Sequence, residues 1–304
     1  MIKLKQVHFQ ITRNCNLRCA FCGQWGNNGF FSDASGEEMN LDDWKKIIAE
    51  LKADKPTITV WGGEPHVSSC FDEIITELKQ NDFKTEIVTN GVLIDKHKKT
   101  IQDVDTVYLS LDGTRGVHDK IRGKGVFDKV KENIKSINHP NITVMSVITP
   151  EVISVLPRFL EELESFNIKR LYLQDMIGLN REEIAQYKAW MKDKFGIDAK
   201  DIDSWINDDL FKTENIETKN YSYEIEHKKH NNEGYCNSPF NHAHIAWNGN
   251  VLYCTDFYDF SAGNVKKDNL KDIVNNEKSE KFREEIRKNH CPTCRHCSWR
   301  ERIF

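Results

Sequence analysis

The sequence of 304 residues lacks any long apolar run, and this excludes two classes of protein. A membrane-spanning helix needs roughly 20 consecutive apolar residues, and no segment approaches that length. The N-terminal stretch MIKLKQVHFQIT has neither the apolar segment nor the small-residue cleavage site of a secretory signal peptide. We therefore expect a cytoplasmic protein with no membrane partner.

A strong charge of one sign is also absent. The formal net charge is −4, and there is no basic stripe of the kind that binds nucleic acid. Neither an internal repeat nor a low-complexity tract is present. The chain length suggests about two domains, and the 30% of charged residues is consistent with a globular protein with a polar surface. We expect no nucleic-acid partner.

Cysteine, by contrast, is abundant and clustered. The chain has nine cysteines, an odd number, and no export signal, so metal binding is favoured over disulfides. Three of them form the pattern C-x3-C-x2-C in the octapeptide CNLRCAFC, five lie near the C-terminus, and Cys70 stands alone. A 4Fe–4S cluster held by only three thiolates keeps one iron open for another ligand. Zinc usually takes four ligands in two close pairs, which this run does not supply.

The octapeptide, with Phe21 just before its last cysteine, resembles the radical SAM superfamily. The resemblance implies that Cys15, Cys19 and Cys22 hold a 4Fe–4S cluster whose open iron binds S-adenosylmethionine (SAM). It further implies that an electron from this cluster cleaves SAM to a 5′-deoxyadenosyl radical. Since exposed clusters are damaged by oxygen, we expect anaerobic handling to be necessary.

Strand and helix patterns alternate through the first 176 residues, which predicts a parallel sheet with right-handed crossovers. The fold class is therefore α/β: a partial (β/α)6 TIM-like barrel, which the resemblance also implies. We expect the barrel over residues 1–176 and a helical connecting region over 177–235, with helices at Arg181–Lys194 and Asp198–Phe211. A small α+β cluster-binding domain should then span 236–304. The predicted strands are Val7–Thr12, Thr57–Trp61, Thr85–Thr89, Thr106–Leu111, Ile142–Thr149 and Lys169–Asp175, and the predicted helices are Leu41–Ala53, Phe71–Asn81, Asp95–Ile101, Phe127–Asn138 and Val152–Phe166.

Polar motifs follow the first four predicted strands, at the end of a barrel where active sites lie. The second of them, GGEP, resembles the SAM-binding motif of the family. Its two glycines allow close approach of the backbone, and its carboxylate suits a cationic amino group; a plain tight turn is the alternative. Asp112 could instead cap the segment that follows it, and Arg122 could form a surface salt bridge. The residues that the resemblance places against SAM are Phe21, Gly62, Gly63, Glu64, Pro65, Asn90, Ser110, Asp112 and Arg122.

The C-terminal cysteines form a second group. The segment HIAWNGNVLYC predicts a hairpin with Asn248-Gly249 as its turn. The cysteine–glycine–cysteine spacing resembles the SPASM and twitch extensions of radical SAM enzymes, and implies one auxiliary 4Fe–4S cluster. Four of the five cysteines would bind it, with Cys297 left over in one reading. A structural zinc site, with His290 and His296 nearby, is the alternative. The five candidates are Cys236, Cys254, Cys291, Cys294 and Cys297.

These features predict a radical SAM enzyme that abstracts a substrate hydrogen atom in an oxidative tailoring reaction, either a dehydrogenation or the formation of a bond. Return of a hydrogen atom by Cys297 or Cys70 would make it an epimerase instead. A zinc-ribbon binding module and an electron carrier without catalysis are rivals from other classes. The cluster loop begins at residue 15, without a preceding leader-binding domain, which favours a small-molecule substrate, and a short peptide stays open. An electron donor such as flavodoxin or ferredoxin is expected.

The predicted substrate pocket involves acidic and aromatic side chains that follow the last strand or lie in the C-terminal segment. A core role is the alternative for the aromatic members. The residues are Gln174, Asp175, Trp247, Asp256, Phe257 and Tyr258.

Overall fold

The computed structural model of the chain describes residues 2–26, 29–32, 37–207, 221–228, 236–288, 291–294 and 297. One sheet runs through these ranges, in the strand order β10-β9-β8-β1-β2-β3-β4-β5-β6-β7. All pairs from β8 to β7 along this order are parallel, and only the two pairs at the β10 end are antiparallel. The strands are β1 (Gln6–Gln10), β2 (Thr57–Trp61), β3 (Thr85–Thr89), β4 (Thr106–Ser110), β5 (Ile142–Ile148), β6 (Arg170–Asp175), β7 (Glu224–Lys228), β8 (His242–Ile245), β9 (Asn250–Leu252) and β10 (Gly263–Asn264).

The helices cover one face of this sheet because alternate strand residues are apolar. Val7 and Phe9 of β1 lie fully buried in the main hydrophobic core, with Trp44 of α1 against the Phe9 ring. The residues between them, such as His8, point to the other face. The helices are α1 (Leu41–Leu51), α2 (Phe71–Gln80), α3 (Lys98–Ile101), α4 (Arg115–Arg122), α5 (Val126–Ile137), α6 (Pro150–Ser154), α7 (Leu156–Leu163), α8 (Arg181–Phe195), α9 (Ser238–Asn241), α10 (Leu270–Val274) and α11 (Glu277–Arg287).

Strand β1 has a parallel neighbour on each side. Val7 is in register with Ile58 of β2 and with Ala243 of β8. The hairpin of β8 and β9 turns at Gly249, whose φ of +91° suits a glycine. The C-terminal segment therefore continues the barrel sheet through β1. The strand that precedes Cys15 and the hairpin that precedes Cys254 belong to the same sheet.

The predicted fold class is confirmed, and the region after β6 contains more than the predicted helices. Helix α8 begins at Arg181, capped by Asn180. The second predicted helix is a 3-10 turn at Asp201–Trp205, and the rest of that prediction, from 208, lies outside the described residues. Strand β7 adds a seventh strand in barrel order, next to β6. Within the described ranges no helix is long and apolar enough to span a bilayer.

Candidate functional site

The three N-terminal cysteines lie in a loop that directly follows β1; we call residues 15–22 the cluster loop. Its entrance is held by Glu38, whose Oε1 accepts hydrogen bonds from Thr12 Oγ1 and Arg13 N, both at 2.9 Å. Its middle is tied to helix α4, because Ala20 N donates to the carbonyl of Ile121 at 2.9 Å. The loop is thus fixed at its entrance by Glu38 and in its middle by α4.

Several donors face the sulfur atoms of this loop. Leu17 N donates to Cys15 Sγ and Trp25 N donates to Cys22 Sγ, each at 3.4 Å. Burial raises the pKa of the Cys15 thiol to about 12. Hydrogen bonds from amides stabilise a cluster-bound thiolate, and binding iron must expel the thiol protons. The loop therefore has the donors that an iron–sulfur cluster requires.

Gly62 and Gly63 bring the end of β2 into direct contact with the cluster loop entrance. A Cβ at Gly63 would lie 2.4 Å from the carbonyl oxygens of Arg13 and Asn14. Gly63 N donates to Thr12 O at 2.9 Å, and Glu64 N donates to Asn14 O at 2.8 Å. The glycines are needed here because a side chain would separate the two segments.

Glu64 is 1% exposed and is held by donors of its own chain. Thr89 Oγ1 and Asn90 N donate to its carboxylate at 2.8 Å each, and His66 Nδ1 lies 2.6 Å from Oε1. Pro65 then opens a short 3-10 turn capped by the same carboxylate. Glu64 therefore joins the GGEP segment to the end of β3.

Asn90 lies between that carboxylate and the cluster loop. Its Nδ2 donates to Asn16 Oδ1 at 2.9 Å and approaches Cys15 Sγ at 4.0 Å. Ser110 ends β4 and is half-buried on the side of the sheet opposite the main core. Both residues thus lie at the carboxyl ends of strands, as the sequence predicts.

Asp112 and Arg122 form a buried ion pair beside Cys19. Arg122 Nε donates to Asp112 Oδ2 at 2.6 Å, and its Nη1 lies 3.9 Å from Cys19 Sγ. The same guanidinium lies 5.7 Å from the centre of the Phe21 ring. Asp112 Oδ1 also accepts from Val147 N at 2.8 Å. The guanidinium is therefore fixed next to the cluster loop, where it offers positive charge to an anion.

The five C-terminal cysteines all line one cavity. Burial raises the pKa of Cys254 well above its usual value, and Asp256 N donates to its Sγ at 3.5 Å. A hydrogen bond from Cys294 lowers the pKa of the Cys291 thiol to about 7, and the same hydrogen bond raises the pKa of Cys294. Of the two thiols, Cys291 therefore loses its proton first. Aromatic side chains enclose the cavity, among them Tyr187 and Trp190 of α8.

The cavity brings together the five cysteines from which the sequence analysis predicts a second cluster, and Cys297 is one of them. His290 and His296, which the zinc alternative would use, lie outside the described residues. In the part of the chain that the structure describes, no group of three or more His, Cys, Asp or Glu side chains is arranged to hold a single metal ion.

The other predicted residues do not form a single pocket: Asp256 and Phe257 line the cysteine cavity, and Trp247 and Tyr258 belong to one aromatic cluster around Phe31. Cys70 is half-buried at the start of α2 against the main core, with Ser69 Oγ 3.9 Å from its sulfur. Trp247 is 4% exposed and packs with Phe31 in a small aromatic cluster. Asp175 pairs with His227 and Tyr258 packs on Phe30; Gln174 lies on β6.

Some site residues gave no signal in the sequence. Glu38 is one acidic residue in a polar stretch, and its role depends on donors that lie about 25 positions earlier. Trp205 lies in a segment without a recognisable motif, yet its indole N–H donates to the carbonyl of Asp256 at 2.9 Å. Only the folded chain places these residues beside the cysteines.

Comparison with known proteins identifies the family. Residues 9–173 match the Radical SAM superfamily, and residues 236–298 match the SPASM iron–sulfur cluster-binding domain. The chain therefore belongs to the radical SAM superfamily and has a C-terminal SPASM domain. The predicted cofactors follow: SAM with its 4Fe–4S cluster, and auxiliary iron–sulfur binding.

Two similar curated proteins extend over nearly the whole chain. A tungsten-containing aldehyde ferredoxin oxidoreductase cofactor-modifying protein of Pyrococcus furiosus is 27% identical, over 98% of this chain and 88% of its own length. A cysteine-type anaerobic sulfatase-maturating enzyme of Clostridium novyi is 26% identical, over 94% and 83%. An Fe-coproporphyrin III synthase of Methanosarcina barkeri is 29% identical, but this chain spans only 45% of its length.

Solved structures support the fold. Streptococcus suis SuiB bound to SAM superposes with a TM-score of 0.65 at 14% identity, covering 97% of this chain and 72% of SuiB. The SAM-bound structure of anSMEcpe also gives 0.65, at 16% identity and 97% and 88% coverage. At such identities the likeness concerns the fold alone.

Proposed function

We propose that this protein is a radical SAM enzyme that catalyses a two-electron oxidation of its substrate, with the SPASM-domain cluster as the acceptor of the second electron. The observation that carries the proposal is the shared cavity of the five C-terminal cysteines. Four thiolates suffice for a 4Fe–4S cluster, and Asp256 N already donates to Cys254 Sγ. We assign Cys236, Cys254, Cys291 and Cys294 to that cluster.

At the first site we propose that Cys15, Cys19 and Cys22 bind the cluster that holds SAM. When bound, this cofactor pair supplies a carbon-centred radical able to take a hydrogen atom from an unactivated C–H bond. The protein holds the pair in position and excludes water from it.

The candidate SAM contacts divide into two groups: residues suited to contact SAM directly, and residues that hold the first group in place. Arg122 lies at the cluster loop with its charge directed by Asp112, which suits a carboxylate ligand. Asn90 and Ser110 lie at strand ends and suit polar atoms of SAM, while Phe21 lies against Arg122. The second group supports these contacts: Gly62, Gly63 and Pro65 shape the backbone, and Glu64 and Asp112 hold it through buried hydrogen bonds.

The overall reaction removes one hydrogen atom from a substrate carbon, and then one electron and one proton. With SAM bound at the cluster loop, 5′-deoxyadenosine would receive the hydrogen atom; a cluster held by the C-terminal cysteines would accept the electron, and a base or solvent would take the proton. A dehydrogenation or a new bond to the oxidised atom results. An external carrier of the flavodoxin or ferredoxin class would supply the starting electron and take the second electron back from the auxiliary site.

For the substrate, we propose a peptide or protein side chain as the first candidate. The sulfatase-maturating relative supports it because the similarity extends over most of both chains. A small molecule is the second candidate, supported by the cofactor-modifying relative. We place the reaction in the cytoplasm, where reducing conditions keep cysteines as thiols that can bind iron. We retain the three regions 1–176, 177–235 and 236–304 as the proposed domain division.

An epimerase is the alternative that one observation favours. Five thiols line the cavity where four are needed, so Cys297 is a candidate to return a hydrogen atom to the substrate radical. Cys70, the other predicted hydrogen donor, lies at the N-terminus of α2. Product formed in deuterated water distinguishes the two reactions, because only hydrogen return from a thiol introduces solvent deuterium at the product carbon.

The first test is to count iron and acid-labile sulfide after reconstitution without oxygen. We expect about eight of each per chain, and about four in the Cys254→Ser/Cys294→Ser variant, as two 4Fe–4S clusters require. Incubation with SAM and dithionite should yield 5′-deoxyadenosine from both proteins, whereas Cys19→Ser should yield none. A wild-type count of about four would refute the oxidative use of the second site.

A further inference from the structure

Trp205 contacts both cysteine-bearing segments. Its indole N–H donates to the carbonyl of Asp256 at 2.9 Å, and the amide of that same Asp256 donates to Cys254 Sγ at 3.5 Å. Its ring lies 6.3 Å from the Phe257 ring, in an edge-on arrangement. On this side, Trp205 is therefore linked to the chain segment that orients one ligand of the auxiliary cluster.

The other side of the indole lies on the residue that follows Cys22. A Cβ built on Gly23 would lie 2.6 Å from Trp205 Cζ2 and 2.8 Å from Cε2. Such distances are shorter than van der Waals contact, so only glycine allows the ring to rest on the backbone here. Gly23 is also held by its neighbours, because its carbonyl accepts from Phe30 N at 3.1 Å.

The backbone of Trp205 is itself anchored to the barrel. Leu179 N donates to the Trp205 carbonyl at 2.9 Å, and Asn207 N donates back to the Leu179 carbonyl at 2.9 Å. This pairing forms a parallel bridge between Leu179 and Ile206, just after β6. The indole ring of Trp205 is consequently attached to a hydrogen-bonded backbone while it contacts both segments.

We propose that Trp205 is a positioning residue that sets the separation between the SAM cluster and the auxiliary cluster. It acts through Gly23 on the Cys22 end of the cluster loop and through Asp256 on Cys254. The inference rests on the two-cluster assignment of the proposed function. In the proposed oxidation the second electron would pass from a substrate held at the SAM site to the auxiliary cluster. The rate of such a transfer falls steeply with distance, so a residue that fixes the separation of the two sites matters for oxidative turnover.

The test uses three variants of the reconstituted full-length protein. Trp205→Phe removes the N–H and keeps a ring, Trp205→Ala removes both contacts, and Gly23→Ala displaces the ring without altering a cysteine. Trp44→Phe is the matched control, since Trp44 is fully buried in α1 and its Nε1 has no hydrogen-bond partner to lose. Iron content identifies any variant that fails to assemble.

The first readout is hydrogen–deuterium exchange of the peptides that cover Gly23–Gly26 and Asp256–Tyr258. We expect Trp205→Phe to raise exchange in the second peptide about fivefold, the factor that corresponds to one hydrogen bond of about 1 kcal/mol. Trp205→Ala should raise it in both peptides, and Trp44→Phe in neither. Wild-type exchange in Trp205→Ala would overturn the proposal.

The second readout is electron paramagnetic resonance, which a purely structural role would leave unchanged. Two reduced clusters relax each other's spins to an extent that depends on their separation. We expect Gly23→Ala and Trp205→Ala to alter this relaxation at wild-type iron content, and Gly23→Ala to have no added effect in a Trp205→Ala background. Unaltered relaxation in both single variants would overturn the proposal. A wild-type protein with about four irons would refute the proposed function and, with it, the inter-cluster role of Trp205, whereas unaltered relaxation at about eight irons would overturn the role of Trp205 alone.

Discussion

Three residues form hydrogen bonds with the buried carboxylate of Glu64. Thr89, Asn90 and His66 supply them, so the carboxylate connects the end of β2 to the end of β3. Glu86, one strand away, is also buried, but its carboxylate has fewer partners: Thr59 Oγ1 donates to Oε2 at 3.3 Å, and Lys84 Nζ lies 3.8 Å from Oε1. Burial raises the pKa of Glu86. The two residues therefore form a matched pair of buried carboxylates with different hydrogen bonding.

We expect Glu64→Gln to lower the free energy of unfolding by about 2 kcal/mol, since its amide group would face a donor and leave a buried group unsatisfied. Glu86→Gln should change it by less than about 0.5 kcal/mol, because neutralising a poorly solvated carboxylate removes a cost. Urea denaturation of the iron-free chains at pH 7 measures both. Equal losses in the two variants would contradict this role for Glu64.

His118 makes the stability depend on pH. It is fully buried, Asp112 N donates to its Nδ1 at 3.0 Å, and burial together with the charge of Arg122 lowers its pKa to about 4. In the unfolded chain a histidine has a pKa near 6.5. Between these values the unfolded state binds a proton that the folded state excludes, so this contribution is complete above about pH 6.5 and is lost as the pH falls towards 4.

The His118→Gln variant should therefore lose less stability than the wild type on acidification. A side-chain amide oxygen can still accept from Asp112 N, and the titratable group is gone. We expect the slope of unfolding free energy against pH to be shallower by about 1.4 kcal/mol per pH unit within this window. Denaturation series at pH 7, 6 and 5 provide the slopes, and parallel curves would argue against a neutral buried His118.

At the scale of elements, the hairpin of β8 and β9 determines where Cys254 lies. Its turn residue Gly249 has a φ of +91°, and a Cβ there would lie 2.8 Å from Asn264 Oδ1. Gly125 has a similar φ of +81°, but no atom lies within 4 Å of its Cβ position. A side chain at Gly125 would therefore meet only the cost of the left-handed backbone, whereas a side chain at Gly249 would meet that cost and a steric clash as well.

We expect Gly125→Ala to cost about 1 kcal/mol from the left-handed backbone alone. Gly249→Ala should cost at least about 2 kcal/mol, because the Asn264 side chain must also move and the strand pairing with it. The second variant should in addition lose iron from the auxiliary site, and the first should not. Thermal unfolding and iron counts measure these effects; full iron in Gly249→Ala would show that the turn does not position Cys254.

The strands that were predicted correctly carry their signal in their own residues. Thr57–Trp61 and Thr85–Thr89 have the predicted bounds because β-branched runs end at glycine or asparagine. Strand β7, with the sequence EIEHK, was missed since it is charged and gains its order from pairing with β6. Helix α4 was missed for a similar reason: its residues RGVHDKIR are mostly polar, and the tertiary contacts of His118 and Arg122 stabilise it.

The candidate site divides in the same way. Local spacing predicted the cysteine groups and the strand ends that carry them, and the family comparison confirms the radical SAM and SPASM resemblances that those groups carry. The contacts of Glu38, Trp205 and Tyr187 join segments far apart in sequence. No local pattern encodes such contacts, so they emerge only from the folded chain.

At the scale of the whole molecule, the SPASM segment is part of the barrel framework. Beyond the pairing of β8 with β1, Lys5 N donates to Asn241 O at 2.7 Å, and Leu270 N donates to Glu50 Oε2 at 2.8 Å. We expect a chain ending at residue 235 to be insoluble, since β1 would become an exposed edge. A chain ending at residue 288 keeps β8 to α11 and should stay soluble with about four irons.

Soluble fraction and circular dichroism of the two truncated chains test this expectation. A soluble, cooperatively unfolding chain of 235 residues would show that the barrel is independent of its C-terminal neighbour. An insoluble chain of 288 residues would instead place the stabilising contacts in the last cysteine segment.

The pairing of β1 with β8 also affects the order in which the sheet can form. Val7 meets Ala243, so β1 keeps one unpaired edge until β8, more than 200 residues further along the chain, has been synthesised. Contacts between such distant residues slow folding. The loop that receives the first cluster follows this strand directly, so the sheet that carries both groups of cysteines is complete only after β8 has paired with β1.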